Sequence, residues 1–117
     1  MQAQNRGVSD ERFEKEEPMP YDPLETLGRI DPEMLKRLRE QNEFVYADGA
    51  LPRKVKLLIA MAFDAAHGAE NGVRSLASQA RKSGATSQEI AEALRVACHL
   101  SGVGALYTAS NGLKEAE

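Results

Sequence analysis

One histidine, His67, has a carboxylate three residues away on each side, with Asp64 before it and Glu70 after it. Residues three apart on a helix are neighbours, so either carboxylate could hydrogen-bond the imidazole and set its tautomer. A histidine oriented in this way transfers protons as a general acid and base. His67, Asp64 and Glu70 are therefore the predicted catalytic residues.

Structural roles for the same residues stay open. His67 at a helix end can simply satisfy free carbonyl groups and the negative end of the helix dipole, and metal binding is a weaker alternative. Asp64 interrupts an apolar run, where it is either exposed at the helix margin or buried with Arg74 or His67 as its partner, because an unpaired buried charge is costly. A structural ion pair and a catalytic role are equally compatible with Asp64.

The single cysteine, Cys98, is followed directly by the second histidine, His99. On a helix, adjacent side chains point about 100° apart, so this pair cannot easily act as nucleophile and base. Cys98 shares a face with Leu94 and Ile90, which is typical of a small core residue. One cysteine and two histidines without recognisable ligand spacing predict no metal site, and no cofactor is implied.

The elements that must position these residues are helices. Asp31 is a natural N-cap with Pro32 at the first helical position, and TSQE at Thr86–Glu89 predicts a capping box. The run from Pro52 to about Gly68 is apolar around nearly its whole circumference, which predicts a buried helix. We expect an all-α fold of about five helices, with a central antiparallel hairpin over Pro52–Ser83 and no strand.

Composition places the chain among small globular proteins. It has 117 residues, 42% of them hydrophobic, and a formal net charge of -3. Residues Met1–Asp22 are polar and charge-dense, which predicts a flexible N-terminal arm before a single domain at residues 23–117. No disulfide framework is available to one cysteine, and no apolar run is long enough to span a bilayer. The sequence therefore predicts a soluble cytoplasmic protein without a membrane segment.

The segment Pro52–Leu113 resembles the carboxymuconolactone decarboxylase and alkylhydroperoxidase D-like family. The resemblance is carried by KVKLLIAMAFDAAHG, by GATSQEIAEAL and by the small-residue helix after SGVG. It implies the helical fold of that family and assembly of identical chains into a trimer or hexamer. It also implies a pocket near His67 that takes a small molecule.

Peroxidase-type members of the family carry a Cys-x-x-Cys pair, a histidine one turn later and a glutamate on the preceding helix. The resemblance places these four groups at Ala69, Gly72, Leu76 and Leu57, none of which has the required chemistry. Two thiols are needed because one is oxidised and the other resolves it. A thiol peroxidase mechanism is therefore excluded, and the histidine that decarboxylase-type members keep near Leu76 is also missing.

Three functions remain. The first is a divergent family enzyme, such as a small-molecule lyase or proton-transfer enzyme, that uses His67 and the nearby carboxylates on a lactone-like or carboxylic substrate. The second is a non-catalytic oligomeric binding or scaffold protein of the same fold. The third and most distant is a helix-turn-helix DNA binder at RKSGATSQEIAEALRVA, which the acidic balance and the scarcity of base-reading side chains disfavour. No nucleic-acid partner is expected.

Overall fold

Six helices make up the part of the chain that the computed structural model describes, residues 23–114, and this part contains no strand. They are α1 Pro23–Ile30, α2 Pro32–Tyr46, α3 Arg53–Ala66, α4 Glu70–Lys82, α5 Ser87–Ser101 and α6 Gly104–Leu113. The all-α prediction is confirmed, whereas the count of about five was one short because α1 was not recognised. The predicted arm at Met1–Asp22 lies outside the described residues.

Helices α1 and α2 are separated at Asp31 by the signals that the sequence carries. Pro32 has no backbone N–H to continue the first helix, and the Asp31 carboxylate accepts a hydrogen bond from the Met34 N–H at 2.9 Å. The chain divides into two compact units between Asn42 and Glu43, so the boundary falls within α2. No residue of α2 is buried.

The second unit contains the hairpin of α3 and α4, with α5 and α6 packed against it. Helix α3 contacts α4, α5 and α6, and these helices share one apolar core. Alanine supplies much of this core, which lets the helix backbones approach one another closely. The buried cluster consists of Met61, Ala65, Val73, Ala77, Ile90, Leu94, Ala97, Ala105 and Ala109.

Burial of α3 differs from the prediction. Leu57 and Met61 are fully buried on the side that faces the core, but Ile59 is 44% exposed and Phe63 is 61% exposed on the opposite side. The expectation of a helix buried all round was wrong for this outer side, because within one chain no helix of the second unit covers it. The apolar residues of α3 therefore cover more of its circumference than the other helices of the second unit bury.

Helix α6 approaches the beginning of α4 closely at Gly112. A Cβ atom at this position would lie 2.7 Å from the Glu70 carbonyl oxygen and 3.1 Å from Cβ of Val73. Gly112 is buried, and the Asn111 amide donates a hydrogen bond to the Glu70 carboxylate at 3.0 Å. The absence of a side chain at residue 112 is thus what allows the backbones of α4 and α6 to meet.

The capping box at the start of α5 is confirmed. The Thr86 hydroxyl accepts from the Glu89 N–H, and the Glu89 carboxylate accepts from the Thr86 N–H, both at 3.0 Å. The Thr86 hydrogen bond, followed by the one from Lys54 at 3.1 Å, holds the pKa of Glu89 below its ordinary value. Glu89 therefore stabilises the fold above its ordinary pKa, and this contribution is lost as the pH falls through its folded-state pKa.

Replacing Thr86 with alanine is expected to lower the free energy of unfolding by about 1 kcal/mol, because the Glu89 N–H at the start of α5 loses the hydroxyl oxygen that accepts its hydrogen bond. Urea unfolding at neutral pH measures the difference. Ser78→Ala, at an exposed position in the middle of α4, is the control and should change stability little. Equal stability of Thr86→Ala and the wild type would contradict the prediction.

Candidate functional site

The bend between α3 and α4 holds the residues that sequence analysis selected. Helix α3 ends at Ala66, α4 begins at Glu70, and Gly68 takes a φ of +81° in the turn between them. A positive φ of this size strains residues that have a Cβ atom, so glycine suits this turn. The carbonyl of Asp64 accepts a hydrogen bond from the Ala69 N–H at 2.9 Å, which closes the end of α3.

His67 is exposed and engaged with its own helix. Its Nδ1 lies 2.7 Å from the Phe63 carbonyl oxygen, and its ring stacks on the Phe63 ring with centroids 6.4 Å apart and planes 13° apart. With its proton on Nδ1, the ring donates to a carbonyl oxygen that also accepts the His67 backbone N–H at 3.0 Å. The ring therefore adds a second hydrogen bond at the end of α3, which is compatible with the helix-end role that the sequence left open.

Asp64 is half-buried and its carboxylate lies against the first turn of α4. A Cβ atom at Gly72 would overlap an oxygen of this carboxylate and would lie 2.7 Å from its Cγ. Burial raises the pKa of Asp64, and the nearby charge of His67 lowers it by a smaller amount. Asp64 and His67 are thus close enough to interact, and the carboxyl holds its proton to a higher pH than an exposed one.

Tyr46, which sequence analysis missed, belongs to the surroundings of Asp64. Burial raises the pKa of the Tyr46 hydroxyl first, the charge of Asp64 raises it further, and the charge of Arg53 lowers it. The Arg53 guanidinium lies 5.9 Å from the centroid of the Tyr46 ring, and Tyr46 packs against a small buried cluster that includes Leu57. No spacing within α2 indicated that its last residue would reach α3.

Glu70 and Arg74 interact with other residues. The Glu70 carboxylate accepts the hydrogen bond from Asn111, so it ties α4 to α6. The Arg74 guanidinium donates to the Asn71 amide oxygen at 2.7 Å and to the Asn111 carbonyl at 3.4 Å. Of the three predicted catalytic residues, the structure brings Asp64 and His67 together and turns Glu70 toward α6.

Two shallow apolar grooves lie on the second unit. The first has a volume of about 340 Å³ and is lined by Val45, Tyr46, Lys56, Ile59, Ala60 and Phe63. The second has about 420 Å³ and is lined by Leu94, Leu106, Ala109, Ser110, Leu113 and Lys114. Neither is lined by Asp64, His67 or Glu70, but Tyr46 belongs both to the first groove and to the surroundings of Asp64. We call this first groove the Tyr46 groove.

The lining of the Tyr46 groove includes one cation. Lys56 donates a hydrogen bond to the Ala47 carbonyl at 2.6 Å, which holds the ammonium beside the turn that precedes α3. In the same turn the Asp48 carboxylate accepts from the Arg53 N–H and caps α3. The groove therefore combines apolar walls with a tyrosine hydroxyl and a fixed positive charge.

The four positions that the resemblance assigns to redox groups are occupied by residues without redox chemistry. Leu57 is fully buried and Leu76 is half-buried in the core, whereas Ala69 and Gly72 belong to the start of α4. Cys98 is half-buried on α5 and has no cysteine partner. No three metal-ligating side chains cluster within residues 23–114, and no helix in that range is long and apolar enough to cross a bilayer.

Comparison with known proteins gives two matches. The model of the carboxymuconolactone decarboxylase family matches residues 32–115. The crystal structure of an apo carboxymuconolactone decarboxylase family protein from Legionella pneumophila is similar with a TM-score of 0.72 and 28% sequence identity. The alignment covers 78% of this chain and 81% of that one. No curated protein matches the chain in sequence.

Proposed function

The chain belongs to the carboxymuconolactone decarboxylase family, and we propose that it transfers a proton to or from a small lactone-like or carboxylic substrate without using a thiol. Asp64 is the proton-transfer group in this proposal, and His67 is the neighbour whose charge adjusts its pKa. Glu70, also considered from the sequence, has its carboxylate tied to α6. Its role in the proposal is structural.

A single observation carries the proposal. The Asp64 carboxylate fills the space that a side chain at position 72 would need, and position 72 is where the family resemblance places the second thiol. An ionisable group from α3 therefore occupies the point of the fold where the resemblance places a thiol from the next helix. Perturbed carboxyl groups beside a groove are common at functional sites because catalysis needs a suitable pKa.

Decarboxylation of a lactone acid shows what such a carboxyl would do. When the bond to the departing carboxylate breaks and CO₂ leaves, the electron pair remains on the substrate and is conjugated with the lactone carbonyl. A protonated acid then delivers its proton to the carbon through one bridging hydroxyl, such as that of Tyr46, because Asp64 does not itself line the groove, and solvent returns a proton to the acid. The raised pKa of Asp64 supports this role because it keeps the carboxyl protonated over a wider pH range.

The Tyr46 groove is the proposed substrate site. Its apolar walls suit the ring of a small lactone, and the Lys56 ammonium suits a carboxylate on that ring. Tyr46 lines the groove, and its pKa responds to the charge of Asp64, so it connects the substrate site with the proposed acid. We assign Tyr46 to substrate binding and Asp64 to proton transfer.

A second function, a non-catalytic oligomeric binding or scaffold protein, is favoured by the geometry of His67. The ring nitrogen Nδ1 is engaged with the Phe63 carbonyl, and the ring is exposed, as expected of a residue that only secures a helix end. Under either function we propose a cytoplasmic homo-oligomer. The single cysteine supports the reducing compartment, and the trimer or hexamer is what the family resemblance implies.

Incubation with carboxymuconolactone tests the proposed chemistry. We expect CO₂ release by the wild type and by Cys98→Ser at equal rates, because the half-buried thiol on α5 has no part in the proton transfer. A parallel assay with hydrogen peroxide and a dithiol should show no protein-dependent peroxide loss. Thiol-dependent peroxide consumption abolished by Cys98→Ser would contradict the proposal, and absence of CO₂ release would favour the scaffold function.

A further inference from the structure

Arg53, in the first turn of α3, lies over the ring of Tyr46. The central carbon of its guanidinium is 5.9 Å from the ring centroid, a distance at which an aromatic face attracts a cation. Both residues are half-buried, so solvent screens this attraction less than it would at an exposed pair. The Asp48 cap uses only the backbone N–H of Arg53, so the side chain is not needed to begin the helix.

Gln79 on α4 holds the guanidinium in this position. Its amide oxygen accepts a hydrogen bond from Nη2 of Arg53 at 3.4 Å, and its amide nitrogen donates one to the Ser75 hydroxyl at 3.1 Å. The amide is therefore fixed by two partners, with its acceptor toward the arginine. A guanidinium suits this arrangement better than an ammonium does, because its edge can hydrogen-bond while its face lies against a ring.

The ring of Tyr46 is itself supported by apolar side chains of the second unit. It packs against a buried cluster of Leu57, Ala80 and Ala85. None of these side chains is polar, so the ionisable groups of α3 set the electrostatic surroundings of the phenol. Within residues 23–114, the charged groups that act on Tyr46 or share its groove are Arg53, Lys56 and Asp64.

We propose that Arg53 is a positioning residue, which holds Tyr46 in place for proton transfer and stabilises negative charge on its oxygen while the proton moves. The inference rests on the proposed function, in which one hydroxyl bridges Asp64 and the groove. In that step the Tyr46 hydroxyl gives its proton to the substrate carbon and takes the proton of the Asp64 carboxyl. The tyrosine is unchanged at the end, and the carboxyl has become a carboxylate.

The charge of Arg53 has the sign that this step needs. The phenol oxygen becomes partly negative when its own proton leaves ahead of the arrival of the next, and a cation held beside the ring favours that state. Burial raises the pKa of Tyr46 most, the charge of Asp64 raises it further, and the charge of Arg53 lowers it. Of these three influences, only Arg53 makes the hydroxyl a better proton donor.

Arg53→Met tests the inference, because methionine keeps an apolar stem but has neither the charge nor the hydrogen-bond donors. NMR titration of the full chain with isotope-labelled tyrosine rings measures the pKa of each tyrosine, and Tyr46→Phe identifies the Tyr46 signal. We expect the Tyr46 pKa to rise in Arg53→Met. Turnover of carboxymuconolactone should fall at least ~10-fold in kcat, since displacement of a reacting group by about 1 Å can cost ~100-fold.

Arg53→Lys and Lys54→Met are the matched variants. Arg53→Lys restores the charge, so it should return the Tyr46 pKa toward the wild-type value and recover part of the turnover. Lys54→Met removes the same charge from the neighbouring residue, whose ammonium pairs with Glu89 on α5. It should leave both quantities unchanged. An unchanged Tyr46 pKa in Arg53→Met, or an equal rise in Lys54→Met, overturns the inference.

Circular dichroism and thermal unfolding establish that each variant is folded over the titration range. Gln79→Ala replaces Arg53→Met if the latter does not fold, because it frees the guanidinium and should also raise the Tyr46 pKa, by less. An unchanged pKa there overturns the inference as well. The titration contains no substrate, so it reports on the contact between Arg53 and Tyr46 alone. Absence of turnover in the wild type contradicts the proposed function, and the two failures are therefore distinguishable.

Discussion

Replacing Asp64 with asparagine is expected to lower the turnover of carboxymuconolactone at least ~100-fold, the usual lower limit for loss of a general acid. Asparagine has nearly the same shape as aspartate, so it retains the contact with the first turn of α4 but cannot donate a carboxyl proton. The loss should appear in kcat, because Tyr46 and Lys56, which line the proposed substrate site, are unchanged. Steady-state kinetics of both proteins measures it.

The same substitution should make the protein more stable at neutral pH. The pKa of Asp64 is higher in the folded protein than its ordinary value, so the folded state binds this proton more tightly than the unfolded state does. The fold then loses stability as the pH rises from about 4 through the folded-state pKa of Asp64. Asp64→Asn removes that loss, and urea unfolding should show its advantage above this window and little difference below it.

Glu70→Gln is the matched control for Asp64→Asn. It removes a carboxylate of the same bend, but one whose hydrogen bond from Asn111 connects α4 with α6. We expect its turnover to stay within a few-fold of the wild type, since the glutamine side-chain oxygen can still accept the hydrogen bond from Asn111 and Glu70 has no part in the proposed proton transfer. Equal losses at Asp64 and Glu70 would contradict the assignment of proton transfer to Asp64.

Replacing Gly112 with alanine is expected to lower the free energy of unfolding by about 1–3 kcal/mol, as overpacking of a close helix contact does. The added methyl would meet the Glu70 carbonyl oxygen at 2.7 Å and the Val73 side chain at 3.1 Å. Backbone at Glu70 cannot rotate away as a flexible side chain can, so α6 must shift from α4. The hydrogen bond between Asn111 and Glu70 should weaken with it.

Gly104→Ala on the same helix provides the matched control for Gly112→Ala. A Cβ atom at Gly104 would meet nothing within 4 Å, so the substitution adds helix propensity without a clash. Urea unfolding should show a neutral or stabilising effect at Gly104 and a clear loss at Gly112. Unchanged stability of Gly112→Ala would mean that α4 and α6 are less closely packed than the structure has them.

Local signals in the sequence were sufficient to predict much of the fold. Pro32 and the Asp31 cap give the start of α2, the reciprocal bonds of Thr86 and Glu89 give the start of α5, and Gly84 follows α4 with a φ of +102°. Each signal acts within a few residues, so it can be recognised without knowledge of tertiary structure. Helix α1 was missed although Leu24, Leu27 and Ile30 recur every three residues, because an eight-residue run is shorter than the window in which helical periodicity is assessed.

The candidate site was less predictable because it depends on contacts between helices. The sequence places Asp64 near His67 by spacing alone, but it cannot show that the carboxylate would lie against Gly72, eight residues later. Nor does it show that Tyr46 would approach Asp64 across the turn before α3. The apolar outer side of α3 was recognised, but its exposure depends on which helices the chain supplies to cover it.

The contact between Asp64 and Gly72 also restricts the order in which mutations can accumulate. A carboxylate at position 64 in its present rotamer and any side chain at position 72 exclude each other, because the added Cβ atom would occupy the place of the carboxylate oxygen. Introducing a thiol at position 72 therefore demands that residue 64 change or reorient first. While Asp64 keeps this position, single substitutions at position 72 are disfavoured, and introducing a thiol there needs coordinated changes on two helices.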